Sequence, residues 1–326
     1  MQVYEGEVIW GGSIMGHFGH FLTESVSRLW PLLPGSELEG LPVVFVTPFE
    51  MPFVHEWLTA FGAQVVTLPK AGLVRFKRVF VPEPAWRLNT WIAPEIRDIH
   101  LHARRGLEVK PVSRSEVLWL SRFELERKRV PYDEGLLEWL LGRHVAVINP
   151  QAMTLAEQVA AIEGSTVVAG LVGSAFHSIL MASEAPGCVY MCAAKVQSAH
   201  VAQSRLLGSS ATFVQALAAV GARPREGARF PAGYRLLIPE ILRVLGETAI
   251  PALLEDPKLA ALANSKRLSE TATQADQGDM ETAVTEVLLD PISVAARMKL
   301  GTLFEARGFN RHAQEQYAAV ADLTDN

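Results

Sequence analysis

Apolar residues recur along this chain with two periods, and the period changes where the elements change. Short β-branched runs at Val43–Thr47, Gln64–Leu68 and Val74–Val81 predict strands. Between the first two, Phe53, Val54, Trp57, Leu58 and Phe61 stand at helical spacing within Glu50–Phe61. An earlier strand, Val8–Trp10, leads through Gly11 and Gly12 to a helix expected over His17–Leu33. Strands that alternate with helices predict a parallel sheet covered on both faces. Pro82, Pro84 and Pro94 punctuate the end of this first lobe, which runs to about residue 108.

Beyond a linker at Lys110–Arg114 the alternation is cleaner. Strands are predicted at Val117–Leu120, Val145–Ile148, Thr166–Leu171 and Cys188–Cys192. Helices are predicted at Asp133–Leu141, Thr154–Glu163 and Ser174–Ser183. Thr154 stands at the N-cap of the second of these, with Glu157 at the capping-box position. This lobe reads as a doubly wound sheet, closing with a helix near Pro239–Leu245. From about residue 250 strand signals vanish. A Gly-to-Ala spacing repeats at Gly278–Ala283 and Gly308–Ala313, and Leu300, Gly301, Ala313 and Tyr317 resemble a tetratricopeptide (TPR-like) helix pair. Two readings of this tail stand: an appendage that docks a protein partner or a second copy of the chain, or a small bundle packed on the second lobe. The expected domains are therefore 1–110, 111–248 and 249–326.

The composition changes little in that picture. Of 326 residues, 49% are hydrophobic and 20% charged, which allows two globular domains with sizeable cores and a smaller third. The net charge of −5 predicts no global basic surface for nucleic acid, although a small anion needs only a local field. Cys188 and Cys192 lie in one apolar run and read as buried thiols of a reducing compartment, with no disulfide framework and no zinc site. The acidic N-terminus lacks the apolar core of a leader. The most apolar stretch, Val167–Ala182, falls short of the ~20 residues of a membrane span. A cytoplasmic protein is expected.

Three segments could carry chemistry. In His17-Phe-Gly-His20-Phe-Leu-Thr-Glu24, helical spacing places two imidazoles and a carboxylate on one face. A histidine held by a carboxylate suits removal of a proton from a hydroxyl. The competing reading is a helix start whose histidines satisfy buried hydrogen bonds. The His-Glu-x-x-His pattern of zinc hydrolases is absent, so no metal is expected. The second segment, Ser121-Arg122 through Arg127-Lys128-Arg129, follows a buried strand, where open α/β sheets bind ligands. Its guanidinium groups could grip a diphosphate, or it is a solvated charged loop. The third segment is a strand followed by Gly170, Gly173 and Ser174, where a helix N-terminus offers amides to an anion, with His177 one turn on. No Gly-x-Gly-x-x-Gly follows an early strand, which disfavours a nicotinamide oxidoreductase.

Taken together and in this order, Gly11–Leu33, Val117–Glu134 and Met153–Met181 resemble glycosyltransferase family 61, which includes bacterial polysaccharide-biosynthesis proteins. The matching features are His-Phe-Leu-x-Glu with Arg28-Leu29, Ser-Arg with Arg129-Val130 and Glu134, and Leu-Ala-Glu-Gln with Val-Val-Ala-Gly and Gly-Ser-Ala. The resemblance spans about residues 8–245 and leaves the tail uncovered. It implies two Rossmann-like lobes facing across a cleft (GT-B-like), with acceptor on the first and donor on the second. It also implies metal-independent transfer, with inversion, from a nucleotide sugar, here expected to be a UDP-sugar, to a hydroxyl of a glycan acceptor. No other cofactor is implied. Carried over, His20 and Glu24, with His17 beside them, take the catalytic positions. Ser121, Arg122, Arg129, Gly173, Ser174 and His177 take the donor side. The family commonly has His where Val172 stands. Either His177 substitutes from the next helix, or the chain is a catalytically silent relative that binds partners through its tail.

Overall fold

The computed structural model describes residues 2–46, 51–68, 73–88, 90–125, 130–142, 144–192, 196–219, 234–264 and 280–324. Strand β1 (Gln2–Gly12) precedes helix α1 (Phe18–His20), and β2 (Val43–Phe45) precedes α2 (Pro52–Phe61) and β3 (Val65–Thr67). Then come β4 (Val74–Phe80), a hairpin of β5 (Trp86–Arg87) and β6 (Trp91–Ile92), and helix α3 (Glu95–Gly106). The first sheet is parallel in the order β3-β2-β1-β4, with Ile9 opposite Val43 and Val8 opposite Val79. Helix α2 buries Val54, Trp57, Leu58 and Phe61 and stops at Gly62, whose φ of 78° suits a residue without a side chain.

The long helix expected over His17–Leu33 is not one helix. After α1 the chain makes a π-turn over Phe21–Ser25, closed by Val26 N–H donating to Phe21 O, and later a 3₁₀ turn at Trp30–Leu32. Hydroxyls compete with the regular ladder here: Thr23 Oγ1 donates to Gly19 O at 2.9 Å and Ser27 Oγ to Glu24 O at 2.6 Å. Apolar spacing alone carries no sign of that competition.

The second half runs β7 (Ser115–Leu120), α4 (Glu134–Leu141), β8 (Ala146–Ile148), α5 (Leu155–Glu163), β9 (Ser165–Leu171), a 3₁₀ segment (Ser174–Met181), β10 (Gly187–Cys192), α6 (Ser198–Leu207) and β11 (Ala211–Gln215). The capping box of Thr154 and Glu157 forms as expected. The helix expected at Ser174–Ser183 winds instead as a tighter 3₁₀ segment over Ser174–Met181. All strands are parallel in the order β11-β10-β9-β7-β8. The order of succession therefore reverses between β7 and β9, the place where open α/β sheets leave a crevice at their carboxyl ends.

The chain continues through an antiparallel pair, β12 (Leu217–Ala219) and β13 (Tyr234–Leu236), to helix α7 (Ile238–Thr248). The described residues beyond it form helices α8 (Ala252–Glu255), α9 (Pro257–Ala263), α10 (Met280–Leu289), α11 (Val294–Ala306) and α12 (Asn310–Thr324). Leu300, Phe304 and Ala313 share one buried cluster with Val117 and Trp119 of β7. No helix among the described residues is long and apolar enough to cross a membrane.

The core of the first sheet recruits Leu155, Val159, Leu180 and Met181 from the second half. Polar pins reinforce that contact. The Glu56 carboxylate on α2 accepts the amides of Leu155 (2.9 Å) and Ala156 (3.0 Å), neutralising the positive end of α5. Arg104 forms a two-pronged pair with Glu163, and Arg97 donates to the carbonyls of Leu180 and Ala182, where the 3₁₀ segment ends.

Candidate active site

Segments that follow strands of the two sheets meet, Gly19 after β1 against Ser174 after β9. From the first comes His20, whose Nδ1 lies 2.5 Å from Glu24 Oε2, four residues on. His17 is exposed beside it, its ring edge-on to that of His20 at 5.2 Å between centroids. The pairing leaves His20 Nε2 as the other ring nitrogen, on a side chain that is 43% exposed.

The second sheet supplies Ser121 and Arg122 after β7, and Gly173 and Ser174 after β9. A Cβ on Gly173 would collide with Arg122 Nη2, so the bare glycine is what lets the guanidinium lie over the turn. Ser121 faces inward, and its hydroxyl accepts the Phe123 amide at 3.1 Å. The Arg122 amide donates to Glu134 Oε1 at 2.7 Å, which fixes the loop to the start of α4. The other Glu134 oxygen, Oε2, is buried without a partner. Desolvation, then the neighbouring Glu138 carboxyl, pushes Glu134 up to about 8. The C-terminal helices buttress the same loop: Arg311 Nε donates to Phe123 O at 3.1 Å, and Glu315 Oε1 accepts the Gly135 amide at 3.2 Å. Arg129 lies outside the described residues.

Gly19 joins the two groups. A Cβ there would fall 2.9 Å from Ser174 Cβ and 3.2 Å from His177 Cδ2, so the turn before His20 sits directly on the Gly173–Ser174 turn. His177 does not lie on the rim. It is buried behind the turn, stacked on His200 at 5.0 Å and edge-on to Trp86 of the first half at 5.7 Å. His200 Nε2 bonds the Gly173 carbonyl at 3.1 Å. Burial, followed by the His200 ring, pushes His177 down to about 3, so it is neutral near pH 7. Two participants, His200 and Gln203, carry no sequence signal. They sit on α6, whose buried face is polar and so shows no apolar period.

A separate cavity of about 1130 Å³ lies between α2, residues 107–113 and α5, and contains none of the predicted site residues. Among the described residues, no three His, Cys, Asp or Glu side chains converge as a metal-ligand set.

The buried acids and histidines set a pH dependence of stability. Burial also pushes Glu138 up to about 7 and His100 down to about 4. Glu134 and Glu138 bind protons in the folded chain at a pH where the unfolded chain has lost them, so stability rises as pH falls from 8 toward 6.5. Below 6.5 the unfolded chain protonates histidines that the fold keeps neutral, which opposes the gain. Below about 4.5 the histidine effect continues, joined by the loss of carboxylates such as Glu163 that the fold holds below their ordinary value, and stability falls. Each group contributes a slope of at most about 1.4 kcal/mol per pH unit. Urea unfolding from pH 8 to 4 should show a maximum on the acid side of neutrality, and Glu134→Gln should flatten its alkaline limb. A maximum at pH 8 would refute this balance.

The site is that of an α/β enzyme built at the carboxyl ends of parallel strands. The chain belongs to glycosyltransferase family 61: a model of that family's sequences, Glycosyltransferase 61, matches residues 18–190, just over half of the chain. The matched stretch takes in His20, Glu24, Arg122, Gly173, Ser174 and His177. No curated protein matches the sequence.

Proposed function

We propose that this glycosyltransferase moves a sugar, with inversion and without a metal ion, from a nucleoside-diphosphate sugar to a hydroxyl of a growing glycan. The observation that carries this reading is the seat of Gly19 on Ser174 and His177, which sets the His20–Glu24 pair against the Arg122-covered glycine turn. The two sheets then act as the GT-B-like lobes of 1–110 and 111–248, acceptor on the first and donor on the second.

The leaving diphosphate carries negative charge. Arg122 would meet it, together with the amides of Gly173–Ala175, which precede the first backbone bond of the 3₁₀ segment, Phe176 N–H to Gly173 O. His20 Nε2 would take the proton of the attacking hydroxyl, and Glu24 would stabilise the imidazolium that results. Inversion requires the hydroxyl to arrive on the face opposite the diphosphate, which a base on the opposing sheet allows. In the tail, the Tyr317 ring occupies the space over Gly301, where a Cβ would strike it. We read α11 and α12 as a TPR-like pair whose outer surface would meet a protein partner or a second copy.

Calorimetric titration with UDP tests the donor side. Arg122→Ala should weaken UDP binding by about tenfold or more, the worth of a charge-assisted hydrogen bond. Release of UDP from at least one member of a nucleotide-sugar panel should accompany binding to the unaltered chain. Equal UDP affinity in the two proteins would remove Arg122 from the donor site. A chain that neither binds nor hydrolyses any nucleotide sugar would overturn the reading.

A further inference from the structure

Sugar transfer as proposed leaves the pair beneath the glycine turn, His177 and Gln203, without a role. Their hydrogen bonds determine where the protons lie. Gln203 Nε2 donates to the Phe176 carbonyl at 2.8 Å. A carbonyl accepts only, so this bond fixes which way the amide points and turns its oxygen toward the imidazole. Gln203 Oε1 is 2.7 Å from His177 Nδ1. An amide oxygen also accepts only, so Nδ1 carries the ring proton and Nε2 keeps its lone pair. The Gln203 bond to Nδ1 is the hydrogen bond His177 makes among the described residues, and it leaves Nε2 unengaged.

The ring cannot turn away. His200 stacks on one face with 23° between the planes, and Trp86 stands edge-on at 89°. Cδ2, which adjoins Nε2 on one edge of the ring, is the atom turned to Gly19, where an added Cβ would approach it to 3.2 Å. That edge lies under the junction of the two sheets, between the His20 turn and Ser174.

We infer that His177 is a fixed hydrogen-bond acceptor in the floor of the sugar site, held in one tautomer by Gln203, and that it selects a substrate sugar presenting a hydroxyl at that point. The inference rests on the sugar-transfer reading. A hydroxyl donates to Nε2, whereas a sugar lacking it would leave a desolvated lone pair unmatched, the situation that gives polar sites their strongest discrimination. Gln203 acts through the imidazole and is a positioning residue.

The test is ¹⁵N NMR of the full chain with labelled histidine at pH 7, titrated with UDP, UDP-glucose, UDP-galactose and UDP-N-acetylglucosamine. His177 should show a protonated Nδ1 and an unprotonated Nε2. The Nε2 resonance should move with at least one UDP-sugar and stay in place with UDP alone. Gln203→Leu should mix the tautomers and raise KM for the responding UDP-sugar about tenfold without changing UDP affinity. Gln203→Glu, whose carboxylate still accepts from Nδ1, should retain the tautomer. A protonated Nε2 would overturn the inference. So would an Nε2 indifferent to every UDP-sugar in a chain that binds UDP, and that outcome leaves the sugar-transfer reading intact. Failure to bind UDP itself counts against the sugar-transfer reading, and the inference falls with it.

Discussion

His20→Ala is expected to slow sugar transfer by about 10²–10⁴-fold, the usual contribution of a positioned general base, while UDP affinity stays unchanged. The geometry separates the two quantities. His20 follows the first sheet and pairs with Glu24 at 2.5 Å, whereas the groups proposed to face the diphosphate, Arg122 and the glycine turn, follow strands of the second. Glu24→Gln should give a smaller loss. The amide can still accept from Nδ1 and orient the ring, but it offers no charge to balance the imidazolium. Single-turnover rates and calorimetry on the same preparations read both effects. Normal turnover in His20→Ala would remove His20 as the base. A fall in UDP affinity would show that the two sheets are not functionally separate.

Arg297→Ala is expected to cost about 3–5 kcal/mol of stability, the range for breaking one partner out of a buried ion pair. Arg297 sits on α11 with its side chain 2% exposed. It donates to both oxygens of Asp133, at 2.8 and 3.1 Å, and to Gln316 Oε1 at 2.8 Å. Removing it leaves the Asp133 carboxylate buried, at a residue already held at φ 70°, a conformation that only a short polar side chain tolerates well. The melting temperature should fall by on the order of 10 °C. Asp133→Asn added to Arg297→Met should recover part of the loss, because the stranded charge is gone. A shift under 2 °C for Arg297→Ala would refute the argument. Asp133 immediately precedes Glu134, which holds the Arg122 amide, so this pair also ties the tail to the Arg122 loop.

The alternation of short β-branched runs with helical stretches was sufficient to place β2, β3, β4, β7, β8, β9 and β10; β2, β7, β9 and β10 are largely buried, whereas β4 and β8 are partly buried at most. The Thr154–Glu157 cap was equally legible, being a local bond between neighbours in the chain. Helix α3 and helix α6 were not read from the pattern. The first carries Arg97, His100 and Arg104 among its contacts with the rest of the chain, and the second buries His200, Gln203 and Ser204. Helix α6 uses polar groups where the pattern looks for apolar ones, whereas α3 buries Ile96, Ile99 and Ala103 at helical spacing beside the polar His100, a period the sequence does carry.

The chain alone determined that a histidine and a carboxylate four residues apart lie one helical turn from each other, and that an arginine and a glycine turn each follow a buried strand. Those are facts of local geometry, set by spacing within a few residues. Tertiary structure decided that these pieces meet. Gly19 meets Ser174 only because α5 and the 3₁₀ segment pack into the core of the first sheet, pinned by Glu56, Arg97 and Arg104. It also decided which nitrogen of His177 holds the proton, since Gln203 lies 26 residues away and reaches it only through the fold. Hydrogen bonds between distant segments leave no period in a sequence, and the protonation of a buried imidazole follows from its neighbours in space.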